Sequence, residues 1–151
     1  MKLAVLAVGK LKAGPEKALA DAYLMRAEGL GRKAGISKIT VADMSESLGA
    51  AEEARFFGQA RGFAIALDER GKSLTSLGFA EVLRRHLDGG TPDVSFLIGG
   101  PDGHSAETRG KAGLLLSLGA MTWPHRLVRV LLFEQIYRAV TILVNHPYHR
   151  L

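Results

Sequence analysis

The sequence predicts an α/β fold, a mostly parallel sheet flanked by helices, and three observations carry that expectation. Short β-rich apolar runs alternate with longer stretches of helical period along the whole chain, the order that builds parallel sheets through crossover helices. Several of the short runs are apolar at successive rather than alternate positions, as strands are when both faces of their sheet are covered. No repeat, linker or low-complexity tract interrupts the alternation, so residues 1–151 form a single expected domain.

Taken in order, the expected strands are Lys2–Val8, Ile39–Asp43, Phe63–Asp68, Val94–Ile98 and Ala120–Trp123. Helices are expected near 15–33, 50–61, 74–88, 105–117 and 125–144. Ser105 is placed to cap the fourth helix, with Glu107 in its first turn. The fifth helix is apolar almost all round, from Leu127 to Val144. It is therefore expected either in the core of one chain or at an interface between two.

Cysteine is absent, which excludes a disulfide framework, thiol catalysis and cysteine-ligated zinc. The apolar run Leu3–Val8 ends at Gly9-Lys10, too early for a signal peptide. Arg126, Arg129, Glu134 and Arg138 break the most apolar region, so no stretch reaches the ~18 residues that a membrane span needs. A cytoplasmic protein without membrane contact is expected. Twenty Lys and Arg oppose 15 Asp and Glu, a net charge of +5, which favours polyanionic partners without specifying one.

In a parallel sheet, ligands sit beyond the carboxyl ends of the strands. Leu67 to Gly71, Gly99 to Gly103 and Pro124-His125 follow expected strands and are the places to look. The run Gly99-Gly100-Pro101-Asp102-Gly103 lets backbone approach a flat ligand closely. It lacks the lysine of a P-loop and the spacing of a dinucleotide site, and an ordinary tight turn is the alternative. Leu118, Gly119, Ala120, Met121, Thr122 and Trp123 combine small residues with a closing Pro124. Their amides and carbonyls could pair with the edge of an adenine, or the segment is simply a strand stopped by proline.

The last 27 residues hold His125, His146 and His149 with Arg126, Arg129, Arg138 and Arg150, opposed only by Glu134. His146 and His149 have an HxxH spacing, but Pro147 prevents a regular helix and no carboxylate lies near in sequence, so no metal is expected. Asn145 to Arg150 is either a frayed terminus or a site. Its tyrosine, histidines and arginine suit stacking a base, moving a proton and holding a phosphate.

VSFLIGGPDG, MTWPHRLVRVLLFEQIYRA and the terminal NHPYHR, together with the opening MKLAVLAVGKLK, resemble the SPOUT-class methyltransferases that modify N3 of a pseudouridine in large-subunit ribosomal RNA. The resemblance spans essentially the whole chain. It implies a homodimer with a trefoil knot in its carboxyl-terminal half, and 23S rRNA in the assembled ribosome as partner. It further implies S-adenosylmethionine bound by Leu67, Gly99 and Leu118 to Trp123, with Tyr148, His149 and Arg150 acting at the target base. On that reading His149, or else His146, takes the N3 proton; Tyr148 contacts the base; Arg150 and Arg129 hold phosphates or orient the tail. A non-catalytic dimeric RNA-binding module is the alternative.

Overall fold

Successive residues of the first strand serve opposite faces of the sheet. Leu3, Val5 and Ala7 enter one buried cluster, while Leu6 and Val8 enter another. The computed structural model describes residues 1–150; Leu151, the last residue of the expected domain, lies outside the described residues. The strands are β1 (Lys2–Val8), β2 (Lys38–Met44), β3 (Phe63–Ser73), β4 (Asp93–Ile98) and β5 (Leu114–Ser117). Between and after them come α1 (Pro15–Gly31), α2 (Ala50–Phe57), α3 (Ser76–Asp88), α4 (Ala106–Lys111) and α5 (His125–Leu143), with a short 3-10 turn at Arg32–Ala34.

The sheet order is β2-β1-β4-β3-β5, and every pairing is parallel. The larger cluster joins Val94, Phe96 and Ile98 of β4 to Ala20 of α1, Phe79 and Leu83 of α3, and Leu132 and Ile136 of α5. The smaller one joins Leu97 to Met44 and to Phe57 of α2. Both faces are thus covered, which is why β1 and β4 are continuous apolar runs. Val130, Leu132, Phe133, Ile136, Ala139 and Val140 are buried within this one chain. Most of the apolar surface of α5 is therefore core, and Leu127 stays exposed.

The last strand differs from expectation. Residues 114–117 form β5, whereas Ala120–Trp123, expected as a strand, is an exposed loop. The expected helix over 105–117 stops at Lys111. The reason is a close approach at Gly113. Its amide donates to the Ala64 carbonyl at 2.9 Å, and a Cβ there would fall 2.2 Å from the Phe63 ring. Only glycine lets the chain turn onto the edge of β3, and the three leucines that follow pair with β3 instead of continuing a helix. β3 also runs beyond Asp68: its pairing with β5 breaks between Leu67 and Lys72, so residues 68–71 leave the ladder and return.

Gly62 starts β3 at a positive φ of 68°, and an added Cβ would lie 1.8 Å from the Asp93 carbonyl oxygen. Gly62→Ala is expected to cost about 2 kcal/mol or more, because strain and overlap act together. Denaturant unfolding should show a lower midpoint at an unchanged slope; an unchanged midpoint would contradict this packing.

Candidate active site

Because all strands run the same way, the break in β3 at residues 68–71 and the loops after β4 and β5 meet at one end of the sheet. They enclose a cavity of about 290 Å³ lined by Leu67, Asp68, Gly99 to His104, Leu118, Gly119, Met121, Thr122, Trp123 and His125. Of the residues expected to bind a cofactor, only Ala120 is not in this lining; it sits exposed in the same loop. The loop after β4 folds back so tightly that a Cβ on Gly99 would lie 3.1 Å from the Gly103 carbonyl carbon. Its exit is fixed by Ser105, whose Oγ accepts from the Thr108 amide at 3.1 Å to cap α4.

The loop after β5 is braced by Ser117: its Oγ donates to the Gly119 carbonyl at 3.0 Å and accepts the Gly119 amide at 3.2 Å. Gly119 has a φ of 121°, which disfavours any side chain there. Met121 and Trp123 then stand exposed in the cavity lining.

His104 carries no motif signal and sequence reasoning misses it, as it does Arg109, another lining residue. The His104 imidazole is buried against the edge of Phe57, at 5.1 Å between ring centres. Nε2 faces the Leu97 carbonyl at 3.1 Å, which assigns the proton to Nε2. Nδ1 is buried without a partner among the described residues. Burial holds its pKa below the ordinary histidine value, against the opposing pull of the Leu97 carbonyl and Asp68. Arg109 donates to the His104 carbonyl and ties α4 to the loop.

Arg129 does not hold a phosphate or orient the tail. Its side chain is 6% exposed; Nη1 donates to Asp43 Oδ2 at 2.9 Å and Nη2 to the Gly9 carbonyl. It therefore fastens the start of α5 to the ends of β1 and β2. A guanidinium so enclosed has both ends committed to protein acceptors.

The expected catalytic tail lies apart from the cavity. Among the described residues, none of 145–150 lines it. Asn145 turns at a φ of 56°, and the chain doubles back along α5. Tyr148 packs on Tyr137 at 4.6 Å, beneath the Arg138 guanidinium at 5.0 Å. Its hydroxyl donates to Glu134 Oε1 at 3.1 Å. Partial burial, followed by the Glu134 contact, pushes the phenol up to about 12. His146 Nδ1 accepts the Tyr148 amide at 3.2 Å. Both ring nitrogens of His149 are buried without partners among the described residues, and Arg150 is exposed.

A family model described as "Predicted SPOUT methyltransferase" matches residues 1–149. The chain belongs to the SPOUT methyltransferase family. Relatives named "Ribosomal RNA large subunit methyltransferase H" match over nearly their full length. That of Rhodopseudomonas palustris (strain HaA2) is 48% identical over 159 aligned positions, covering 99% of both chains. The Bradyrhizobium diazoefficiens protein is 47% identical with the same coverage. Among solved structures, a probable methylase family protein from Haemophilus influenzae Rd KW20 superposes with a TM-score of 0.53 at 12% identity. It covers 99% of this chain and 70% of that one, which shows a shared fold. The family expected from the three motifs is therefore the right one, and this SPOUT methyltransferase keeps its cavity at the expected strand ends.

Arg129→Met is expected to cost about 2–4 kcal/mol, towards the lower value because water can reach Asp43 once the guanidinium is gone. Amide exchange over Gly119–Trp123 should accelerate in the same variant, since α5 anchors that loop; unchanged exchange would separate the clamp from the cavity. For His104, the folded state binds its proton less readily than the unfolded state does. Its contribution to stability is therefore full above the ordinary value near 6.5 and is lost as pH falls below it. The drop in Tm between pH 7.5 and pH 5.5 should be smaller in His104→Leu than in the wild type.

Proposed function

We propose that this protein transfers a methyl group from S-adenosylmethionine to N3 of a pseudouridine in 23S rRNA, working in the cytoplasm as a homodimer with a knotted carboxyl-terminal half. The carrying observation is the convergence of Leu67, Gly99, Leu118, Gly119 and Met121 to Trp123 on one cavity, in a chain 48% identical to a protein named for large-subunit ribosomal RNA methylation.

The cavity suits the cofactor. About 290 Å³ lies near the lower bound for small-molecule sites, and it offers apolar Met121 and Trp123 for a flat base, backbone groups for its edge and the Asp68 carboxylate for hydroxyls. When bound there, S-adenosylmethionine supplies a methyl on an activated sulfonium, so the chain's main work is alignment. Leu67, Gly99 and the braced Gly119 turn would hold it in place.

The acceptor nitrogen is an imide that must lose its proton to attack. In this reading His149, whose ring nitrogens have no partner among the described residues, takes that proton, whereas His146 already uses Nδ1 to accept the Tyr148 amide. Tyr148 stays a neutral phenol at working pH, able to stack on or donate to a base, and the exposed Arg150 is placed to meet phosphate. A second copy completes the site in this reading. The tail does not line its own chain's cavity, and Leu19 at 48% and Met25 at 72% exposure leave apolar surface on α1 for a partner protomer to cover.

Calorimetry should show one S-adenosylmethionine bound per chain, and mass spectrometry of 23S rRNA from cells lacking the protein should show loss of one methylated pseudouridine. Mixing protomers truncated after Asn145 with Gly99→Val protomers should restore methylation that neither homodimer supports. Failure to bind S-adenosylmethionine would leave only an RNA-binding module, and failure of the mixture would place the tail's action within one chain.

A further inference from the structure

A second cavity, also about 290 Å³, opens on the α3–α5 side of the sheet and shares Leu116 to Gly119 and Trp123 with the first. Its walls are largely apolar, with Ser76 and Gln135 on one side, Ser73 at the β3 end and Ser117, whose hydroxyl is already committed to Gly119. The polar pair is held in one orientation. Gln135 Nε2 donates to Glu134 Oε2 at 2.7 Å, and a carboxylate can only accept, so the amide oxygen must face Ser76. Ser76 Oγ accordingly donates to Gln135 Oε1 at 2.8 Å. The serine oxygen keeps its lone pairs as acceptors, and the Gln135 amide keeps one N–H to donate. Glu134 also takes the Tyr148 hydroxyl. An acceptor and a donor thus stand side by side in an apolar cleft, next to the cofactor cavity and one carboxylate away from the tail.

We propose that this second cavity receives the target base and that Ser76 and Gln135 select pseudouridine over uridine; the inference rests on the methyltransferase reading above. Pseudouridine is joined to ribose through C5, so N1 carries a hydrogen and lies beside the C2 carbonyl, on the edge farthest from the sugar. Its N1–H donates to Ser76 Oγ, and its C2 carbonyl accepts from the Gln135 amide. N3, the next ring atom, then faces the shared wall of the two cavities. Uridine has its ribose on N1, offers no hydrogen there and would leave the serine acceptor unmatched in a desolvated site, a loss that hydrogen-bonding sites punish strongly. Leu74, Phe79 and Trp123 supply apolar contact for the ring faces.

The test uses the full-length protein and two readouts. In methylation of assembled ribosomes whose 23S rRNA carries pseudouridine or uridine at one position, the wild type should prefer pseudouridine by at least about tenfold in kcat/KM. Ser76→Ala and Gln135→Leu should each bring that ratio towards one while S-adenosylmethionine affinity stays within about twofold. A preserved ratio would overturn the proposal, and so would a matching loss of cofactor affinity, which would make the cavity part of the cofactor site. Without cofactor or RNA, pseudouridine 5′-monophosphate should shift the NMR signals of Ser76 and the Gln135 side-chain amide and change the fluorescence of Trp123, the only tryptophan. Uridine 5′-monophosphate should do so far less. Equal effects, or none, would refute the selection even if methylation is observed. If instead the wild type binds S-adenosylmethionine but methylates neither ribosome, the function above fails and the nucleotide titration alone decides this inference.

Discussion

The site depends on one buried contact, the Arg129 guanidinium between Asp43 and the Gly9 carbonyl. At 2.9 Å and an effective dielectric near 20, the ion pair alone is worth about 6 kcal/mol of gross attraction. Removing an arginine from water cancels much of that, so the contact adds position more than stability. It fastens α5 to the carboxyl ends of β1 and β2, at the far side of the sheet from β5. The segment from Leu118 to Pro124 must bridge β5 and α5, so its path across the strand ends is drawn by where Arg129 holds the helix.

Both cavities open along that path. Pro124 and Gly119 limit the backbone at its two ends, and Trp123 borders both cavities. Beneath it, His104 plugs the β4 loop into the sheet through the Leu97 carbonyl, a neutral group in a place where a charge would be costly. On the other side, Glu134 gathers Arg138, Tyr148 and Gln135 on its two oxygens. A methyltransferase acting on a base must hold a donor and an acceptor in line with little freedom. Two cavities separated by one braced loop lie where such an alignment would be made.

Much of this is legible in the residues. The apolar runs of β1 and β4 announce a covered parallel sheet; the rule that ligands gather at strand ends leads to Leu67, Gly99 and His125, and the family resemblance to the Leu118–Trp123 stretch. The departures have physical causes. Leu114–Leu116 follow a helix-like segment, and nothing local says that Gly113 presses against Phe63; the last strand is therefore expected too late in the chain. Arg129 resembles its neighbours in a basic run, and only burial separates a clamp from a phosphate ligand. His104 carries no local signal, because its ring meets the Leu97 carbonyl only where the β4 loop folds back, and Phe57 reaches it only from α2.

By itself, then, the sequence determined the fold class, the family, the loops that line the cavity and the chemical character of the tail, since periodicity, turn residues and motif order are local properties that a chain carries with it. Only the tertiary structure decided that Arg129 is a strut, that Tyr148 answers to Glu134, that the tail stands off its own cavity, and that Ser76 and Gln135 face each other across 59 residues. Those facts depend on which distant groups the sheet brings within hydrogen-bonding range and which it removes from water.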